Sequence, residues 1–128
     1  YIRRIQPDTV INCAAFTNVD GCETNRDAAY RVNALGPRNL ALACEKINAR
    51  LIHISTDYVF SGTANGGVAL DESALPAPIS AYGQTKLLGE TYVQQFAATS
   101  SCARLGCTAI TAKTLSKLWS TWPKRMTP

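Results

Sequence analysis

Arg50-Leu-Ile-His-Ile-Ser-Thr-Asp-Tyr-Val-Phe60 reads as a buried strand that runs into a polar segment. Leu51, Ile52 and Ile54 form the short apolar run of a strand covered on both faces. Ser55, Thr56 and Asp57 then bring hydroxyl and carboxyl groups that favour a turn. Upstream, Thr9-Val-Ile-Asn-Cys-Ala-Ala15 is a second run of the same kind, predicted as a buried strand that ends in small residues. Between the two, residues 27–48 carry helical periodicity through Ala28, Val32, Leu35, Leu40, Ala43, Cys44 and Ile47. Gly36-Pro37 interrupts it and predicts a kink, or two helices meeting near Asn33. Downstream, a loop is expected from Gly62 to about Ile79, where Pro76 and Pro78 bar regular structure. Ser80 is placed to cap a helix from Ala81, with Ala81, Thr85, Leu88, Tyr92 and Phe96 on one face. Strand, helix, strand, loop, helix is the order of an α/β parallel sheet with right-handed crossovers. Ligands of such sheets bind beyond the carboxyl ends of the strands, where both polar segments, 12–20 and 55–60, emerge.

With 128 residues the chain has room for one modest domain. Its 46% apolar and 17% charged residues describe a globular chain rather than a disordered one. No apolar run approaches the ~18 residues of a membrane span, and no signal peptide is recognisable. Because the first residue is Tyr1 rather than Met, an internal piece of a longer protein is expected. Cysteines at 13, 22, 44, 102 and 107 are odd in number and lack any C-x-x-C spacing, which argues against a disulfide framework or a zinc site. Cys13 and Cys44 fall in apolar patterns, where a thiol serves as a small hydrophobe. With His53 the single histidine, no Cys/His metal set assembles, and a reducing, cytoplasmic setting is expected.

Tyr82 and Lys86 stand four residues apart, one turn along the same face of the predicted helix. A free phenol with a pKa near ~10 exchanges protons poorly at neutral pH. A neighbouring ammonium favours the phenolate and makes the hydroxyl useful for acid–base work, while a Thr56 hydroxyl holds a substrate oxygen beside it. Each assignment has a plainer rival. Tyr82 and Lys86 form an ordinary surface pair in one, and Thr56 and Asp57 merely start a turn in another. For Asn33 the structural reading is preferred, a backbone bond at the helix break. His53 is expected in the core or a second layer, and Arg3-Arg4 at a solvated helix end.

Four blocks carry a family resemblance: 7–20 with Glu23, Tyr30-Arg-Val-Asn-Ala-Leu-Gly-Pro-Arg-Asn-Leu-Ala41, Leu51-Ile-His-Ile-Ser-Thr-Asp-Tyr-Val-Phe60 and Tyr82-Gly-Gln-Thr-Lys-Leu-Leu-Gly-Glu90. In order and spacing they resemble the extended short-chain dehydrogenase/reductases, and within them the dTDP-4-dehydrorhamnose reductase family, over nearly all of residues 5–96. The resemblance implies an incomplete Rossmann-like, doubly wound parallel sheet. It also implies NADPH-dependent (or NADH-dependent) reduction of the C4 keto group of dTDP-4-dehydro-L-rhamnose. By resemblance, Tyr82 donates the proton, Lys86 lowers its pKa and bonds the nicotinamide ribose, and Thr56 polarises the carbonyl with Asp57 beside it at the sugar. Ala14, Ala15, Phe16 and Thr17 would line the cofactor, Ile54 giving backbone contact. The expected partner is a sugar nucleotide, with neither nucleic acid nor membrane, and a homodimer is among the expectations. A non-catalytic binding subunit like that of methionine adenosyltransferase, or a sugar-nucleotide epimerase or dehydratase, remain alternatives on the same fold.

Two departures from the family stand out. The 128 residues contain no G-x-G-x-x-G or G-x-x-G-x-x-G for the pyrophosphate, and Gly62, Gly66 and Gly67 lie after the second strand, where they do not substitute. Composition also breaks near residue 99: residues 1–98 hold eight Lys/Arg and nine Asp/Glu, a net −1, whereas 99–128 hold five Lys/Arg and no acid, a net +5. The family's Arg-Thr-x-Trp-Leu-Tyr-Gly segment is replaced by Cys102-Ala-Arg-Leu-Gly-Cys-Thr-Ala109. Synonymous codons permit that family segment in the shifted frame, which reads Cys-Ala as Arg, Leu-Gly as Trp and Cys-Thr as Tyr. Residues 99–128 are therefore expected to be an atypical, poorly packed tail translated out of frame. The rival is a basic tail that meets nucleic acid or anionic membrane, weakened by five charges spread over 30 residues. The nucleotide sequence decides, since codons incompatible with the family segment end the frame-shift reading. Isothermal titration of the 128-residue chain with NADPH should give a dissociation constant weaker than micromolar, and a micromolar value refutes the expectation that half of the cofactor cradle is missing.

Overall fold

The computed structural model describes residues 1–62, 70 and 74–96, together with the backbone of 101–103. Gly66 and Gly67, Trp119 and Trp122, and nearly all of the basic stretch lie outside the described residues. Strands β1 (Thr9–Asn12), β2 (Arg50–Ile54) and β3 (Ser101–Ala103) form one sheet in that order. All pairs are parallel, with Thr9 opposite Arg50, Asn12 opposite His53, and Ile52 opposite Ser101. Parallel neighbours need a crossover on the face of the sheet. A short helix α1 (Ile2–Ile5) precedes β1 and carries Arg3 and Arg4, both exposed, in its last turn, as expected of a solvated helix end.

The first crossover is helical from Val19 to Glu45 but for Asn25. Asn18 caps α2 (Val19–Thr24), its side chain accepting from the Gly21 N–H at 2.8 Å, and Asn25 caps α3 (Arg26–Tyr30) through the Ala28 N–H. The break expected near Asn33 takes the form of a π-helical turn, Arg31–Leu35, from which α4 (Gly36–Glu45) continues. Pro37 sits in the first turn of α4, directly after the π-helical turn. From there α4 lays Ala41 and Cys44 against Leu51 of β2 and Val93 of the last helix, with Val10, Leu40, Ile47 and Phe96 around them. Cys44 is thus the small hydrophobe expected of it.

Cys13 is not. β1 stops at Asn12 rather than Ala15, and Cys13 is exposed. The reason is local: the Asn12 side-chain oxygen accepts from the Ala14 N–H at 3.1 Å, a turn-forming bond that draws the chain out of the ladder. β1 is also an edge strand in the described sheet, and Ile11 is 58% exposed, so the expectation of a fully buried strand holds for β2 better than for β1.

Helix α5 (Ala81–Phe96) crosses from β2 to β3 and presents a different face from the one the periodicity indicated. Of Ala81, Thr85, Leu88, Tyr92 and Phe96, Ala81 alone is buried; the inward side consists of Tyr82, Gly83, Lys86, Gly89, Glu90 and Val93. Glycines decide this rotation. A methyl group at Gly89 would overlap the Asn33 carbonyl, and one at Gly83 the Tyr58 carbonyl. The helix comes within van der Waals reach of two backbone segments only with these positions turned inward, and the long polar side chains between them are carried into the interior.

Below α5, His53 is fully buried in the middle of β2. Its Nδ1 lies 3.0 Å from the Asn12 side-chain nitrogen. Because the Asn12 oxygen already serves Ala14, the amide donates and Nδ1 accepts, so the imidazole proton sits on Nε2. Among the described residues, Nε2 is the one buried side-chain polar atom without a partner. Burial first, and the Lys86 charge second, lower the His53 pKa from 6.5 to about 4. The unfolded imidazole binds its proton near the ordinary value and the folded one does not. His53 therefore leaves stability intact above that value and removes up to about 3 kcal/mol as pH falls through the window down to the folded pKa. Urea midpoints measured from pH 7 to pH 4 should decline for the native chain and flatten across that window in His53→Gln; an equal decline in both assigns the effect to other groups.

Candidate functional site at the carboxyl ends of the strands

The amino end of α5 is fastened twice. The Ser80 hydroxyl oxygen accepts from the Gly83 N–H at 3.1 Å, the predicted cap, and a Glu23 carboxylate oxygen accepts from the Ala81 N–H at 2.6 Å. The Ala81 bond, followed by that from Arg26, lowers the Glu23 pKa. Two of the orphan donors of the helix are thus satisfied, one of them from α2, and Tyr82 and Lys86 are carried on a start that has little freedom.

Tyr82 is 8% exposed and Lys86 2%, on the same inward side of α5. The surface-pair reading is therefore excluded by position. The Lys86 ammonium donates to the Ile54 carbonyl at 2.5 Å, at the last residue of β2. Its charge is thus brought to the sheet end by a bond to backbone. Tyr82 packs in a cluster with Cys22, Ala29 and Ala81, and Phe16 lies against that cluster.

Thr56, 6% exposed, follows Ser55 and opens a 3-10 turn, Asp57–Val59. Its hydroxyl accepts from the Tyr58 N–H at 3.3 Å and donates to the Asp57 carboxylate at 3.1 Å. The turn-forming reading of Thr56 and Asp57 is therefore correct as far as it goes, and the turn itself is docked on α5. The Tyr58 ring meets Tyr82 edge-on, with centroids 5.5 Å apart at 75°, and the Tyr58 carbonyl lies in the space left by Gly83. Thr56 and Asp57 belong to the same short turn that rests on the tyrosine.

The segment after β1 is held from the helix break. Asn33, fully buried in the π-helical turn, accepts from the Phe16 N–H at 2.8 Å and donates to the Phe16 carbonyl at 3.1 Å and to the Thr85 hydroxyl at 3.2 Å. The structural role expected of Asn33 is realised, with its bonds going to one of the residues expected to line a cofactor. Ala15 and Phe16 are half-buried, and Ala14 and Thr17 are exposed. Ala14 borders a largely apolar concavity of about 360 Å³ walled by Asn12, Val32, Gly36 and Pro37. Tyr82, Lys86 and Thr56 do not line it.

Three contributors escaped the sequence reading: Ser55, whose hydroxyl donates to the Glu90 carboxylate, Glu90 itself, and Glu23 as a helix cap from a distant element. Glu90 had a usable signal, since it lies one turn beyond Lys86 on the same side of α5. Glu23 had none, because its partner is 58 residues away. Among the described residues no three His, Cys, Asp or Glu gather as a metal site, and no helix is long and apolar enough to cross a membrane.

Comparison with known proteins identifies the family of the chain. A dTDP-4-dehydrorhamnose reductase of Mycobacterium tuberculosis is 51% identical over 88 residues, covering 67% of this chain and 29% of that protein. Among solved structures, a dTDP-4-dehydrorhamnose reductase from Clostridium acetobutylicum superposes with a TM-score of 0.78 at 41% identity, covering 94% of this chain and 44% of that one. The Bacillus anthracis enzyme in complex with NADP gives 0.77 at 39% identity, covering 93% and 44%. The chain thus spans less than half the length of these relatives. The family described as the RmlD substrate binding domain matches residues 1–108. This match over most of the chain, with the relatives above, shows that the chain belongs to the RmlD substrate-binding domain family.

Proposed function

We propose that the protein carrying this chain reduces the C4 keto group of dTDP-4-dehydro-L-rhamnose to give dTDP-L-rhamnose, using NADPH or NADH. The observation that carries the reading is the burial of Tyr82 and Lys86 side by side at the carboxyl end of β2, with the ammonium anchored on Ile54. Burying a lysine is costly unless it is hydrogen-bonded and put to use. Here it stands one turn from a phenol whose ionised form it favours.

The residues present suit the nicotinamide half of the cofactor. Small Ala14 and Ala15 leave room beside the end of β1, and the Phe16 backbone is held by Asn33 through both its N–H and its carbonyl. Tyr82 and Lys86 would hold the ribose, the Lys86 ammonium being anchored on the Ile54 carbonyl. When bound, the reduced nicotinamide supplies the hydride. The chain's own residues handle the oxygen. Tyr82 gives its phenolic proton to the oxygen that becomes the C4 hydroxyl, and Lys86 stabilises the phenolate left behind. The Thr56 hydroxyl, now directed at Asp57, turns to the carbonyl oxygen and polarises it, while the freed Asp57 carboxylate accepts from a sugar hydroxyl. Tyr58 packs edge-on against the Tyr82 ring, and Phe16 lies against the cluster that contains it. The relatives at 51% and 41% identity are named as reductases, which supports this reading over a binding subunit or an epimerase.

Tyr82→Phe removes the proton and little else. In the protein carrying this chain, the variant should lose roughly 10²–10⁴-fold in kcat with a KM close to that of the native protein, read from NADPH absorbance during turnover of dTDP-4-dehydro-L-rhamnose. A kcat within about twofold of native contradicts the assignment.

A further inference from the structure

Glu90 is 1% exposed, lies one turn beyond Lys86 on α5, and takes no part in the proton transfer described above. Buried carboxylates are rare without a reason. One of its carboxylate oxygens accepts from the Ser55 hydroxyl. The two helix side chains therefore grip consecutive residues of the strand end: Lys86 the Ile54 carbonyl and Glu90 the Ser55 hydroxyl. The next residue is Thr56, and the turn it opens rests on Tyr82 through Tyr58.

We infer that Glu90 is a positioning residue for the acid–base site: by accepting the Ser55 hydroxyl it fixes the chain where it leaves β2, and so holds the turn that opens at Thr56 and rests on Tyr82 through Tyr58. Ile54 is the last residue of β2 held in the ladder, opposite Ala103. Ser55 is the first residue beyond it, and the bond to Glu90, from the next turn of the same helix, holds the chain where it leaves the strand. Hydrogen-bond acceptance is the property that matters, so a glutamine, which also offers an oxygen to Ser55, fills the role. Lys86 stands one turn before Glu90 on α5, and His53 of β2, which feels the Lys86 charge, is neutral near pH 7.

The inference rests on the reading of Tyr82 and Lys86 as the acid–base pair, and its test needs no turnover. Carbon-13 at the tyrosine Cζ positions of the full 128-residue chain reports the Tyr82 titration, assigned by Tyr82→Phe, with dispersed amide signals reporting the fold. In the native chain Tyr82 should titrate at least one pH unit below the free value of ~10. Glu90→Ala, which removes the acceptor, should move it back towards that value by half a unit or more. Glu90→Gln should stay within about 0.2 units of native, a rescue that a purely electrostatic or volume-filling role does not give. Should Glu90→Ala fail to fold, Ser55→Ala breaks the same bond with a smaller change and is expected to shift Tyr82 alike. A lowered native titration that neither Glu90→Ala nor Ser55→Ala moves overturns the positioning role, as does Glu90→Gln shifting as far as Glu90→Ala. A native Tyr82 near the free value instead sinks the acid–base reading beneath it.

Discussion

The bond from the Lys86 ammonium to the Ile54 carbonyl ties the last described helix to the central strand at the point where chemistry is expected. A cation taken out of water must find oxygen, and the backbone carbonyl at the end of a strand is an acceptor that no side-chain substitution removes. Around that bond the rest of the arrangement follows. The helix must lie close to the sheet, so glycine stands at 83 and 89. The imidazole beneath it must stay neutral, since two cations in one interior repel, and His53 does so. The helix must also start at a defined height, which Ser80 and Glu23 secure.

Much of the architecture was legible because it follows from local rules. The apolar run 50–54 became a strand, Ser80 capped a helix, and Gly36-Pro37 marked a real change of helical geometry. The Tyr82–Lys86 spacing was legible for the same reason, since a four-residue separation on a helix is geometry rather than context. Where the reading failed, tertiary contacts overrode local pattern. The strand from Thr9 was taken too far because a side-chain bond from Asn12 competes with the ladder, and apolar character does not reveal that competition.

α5 gives the sharpest lesson. Counting apolar side chains chose the face with Leu88, Tyr92 and Phe96, yet the interior contains a lysine, a glutamate and two glycines. Periodicity analysis weighs hydrophobicity and assigns glycine and charge to solvent. A helix built for close approach and buried hydrogen bonds inverts that weighting, and its departure from the pattern is itself a mark of a working surface. Glu90 and Ser55 were missed for this reason, and the Glu23 cap because no local rule spans the distance between α2 and α5.

Asn33 extends the sheet without adding a strand. Its carboxamide is a peptide group mounted on a side chain, and it gives Phe16 both halves of the pairing that a neighbouring strand would have given. The polypeptide past β1 can leave the ladder at Asn12 and still present an ordered main chain four residues later. That surrogate rung is set by the register of the widened helical turn rather than by the sheet. A one-residue insertion anywhere between Arg31 and Leu35 would rotate the amide away and unmoor the loop, while every strand kept its neighbour.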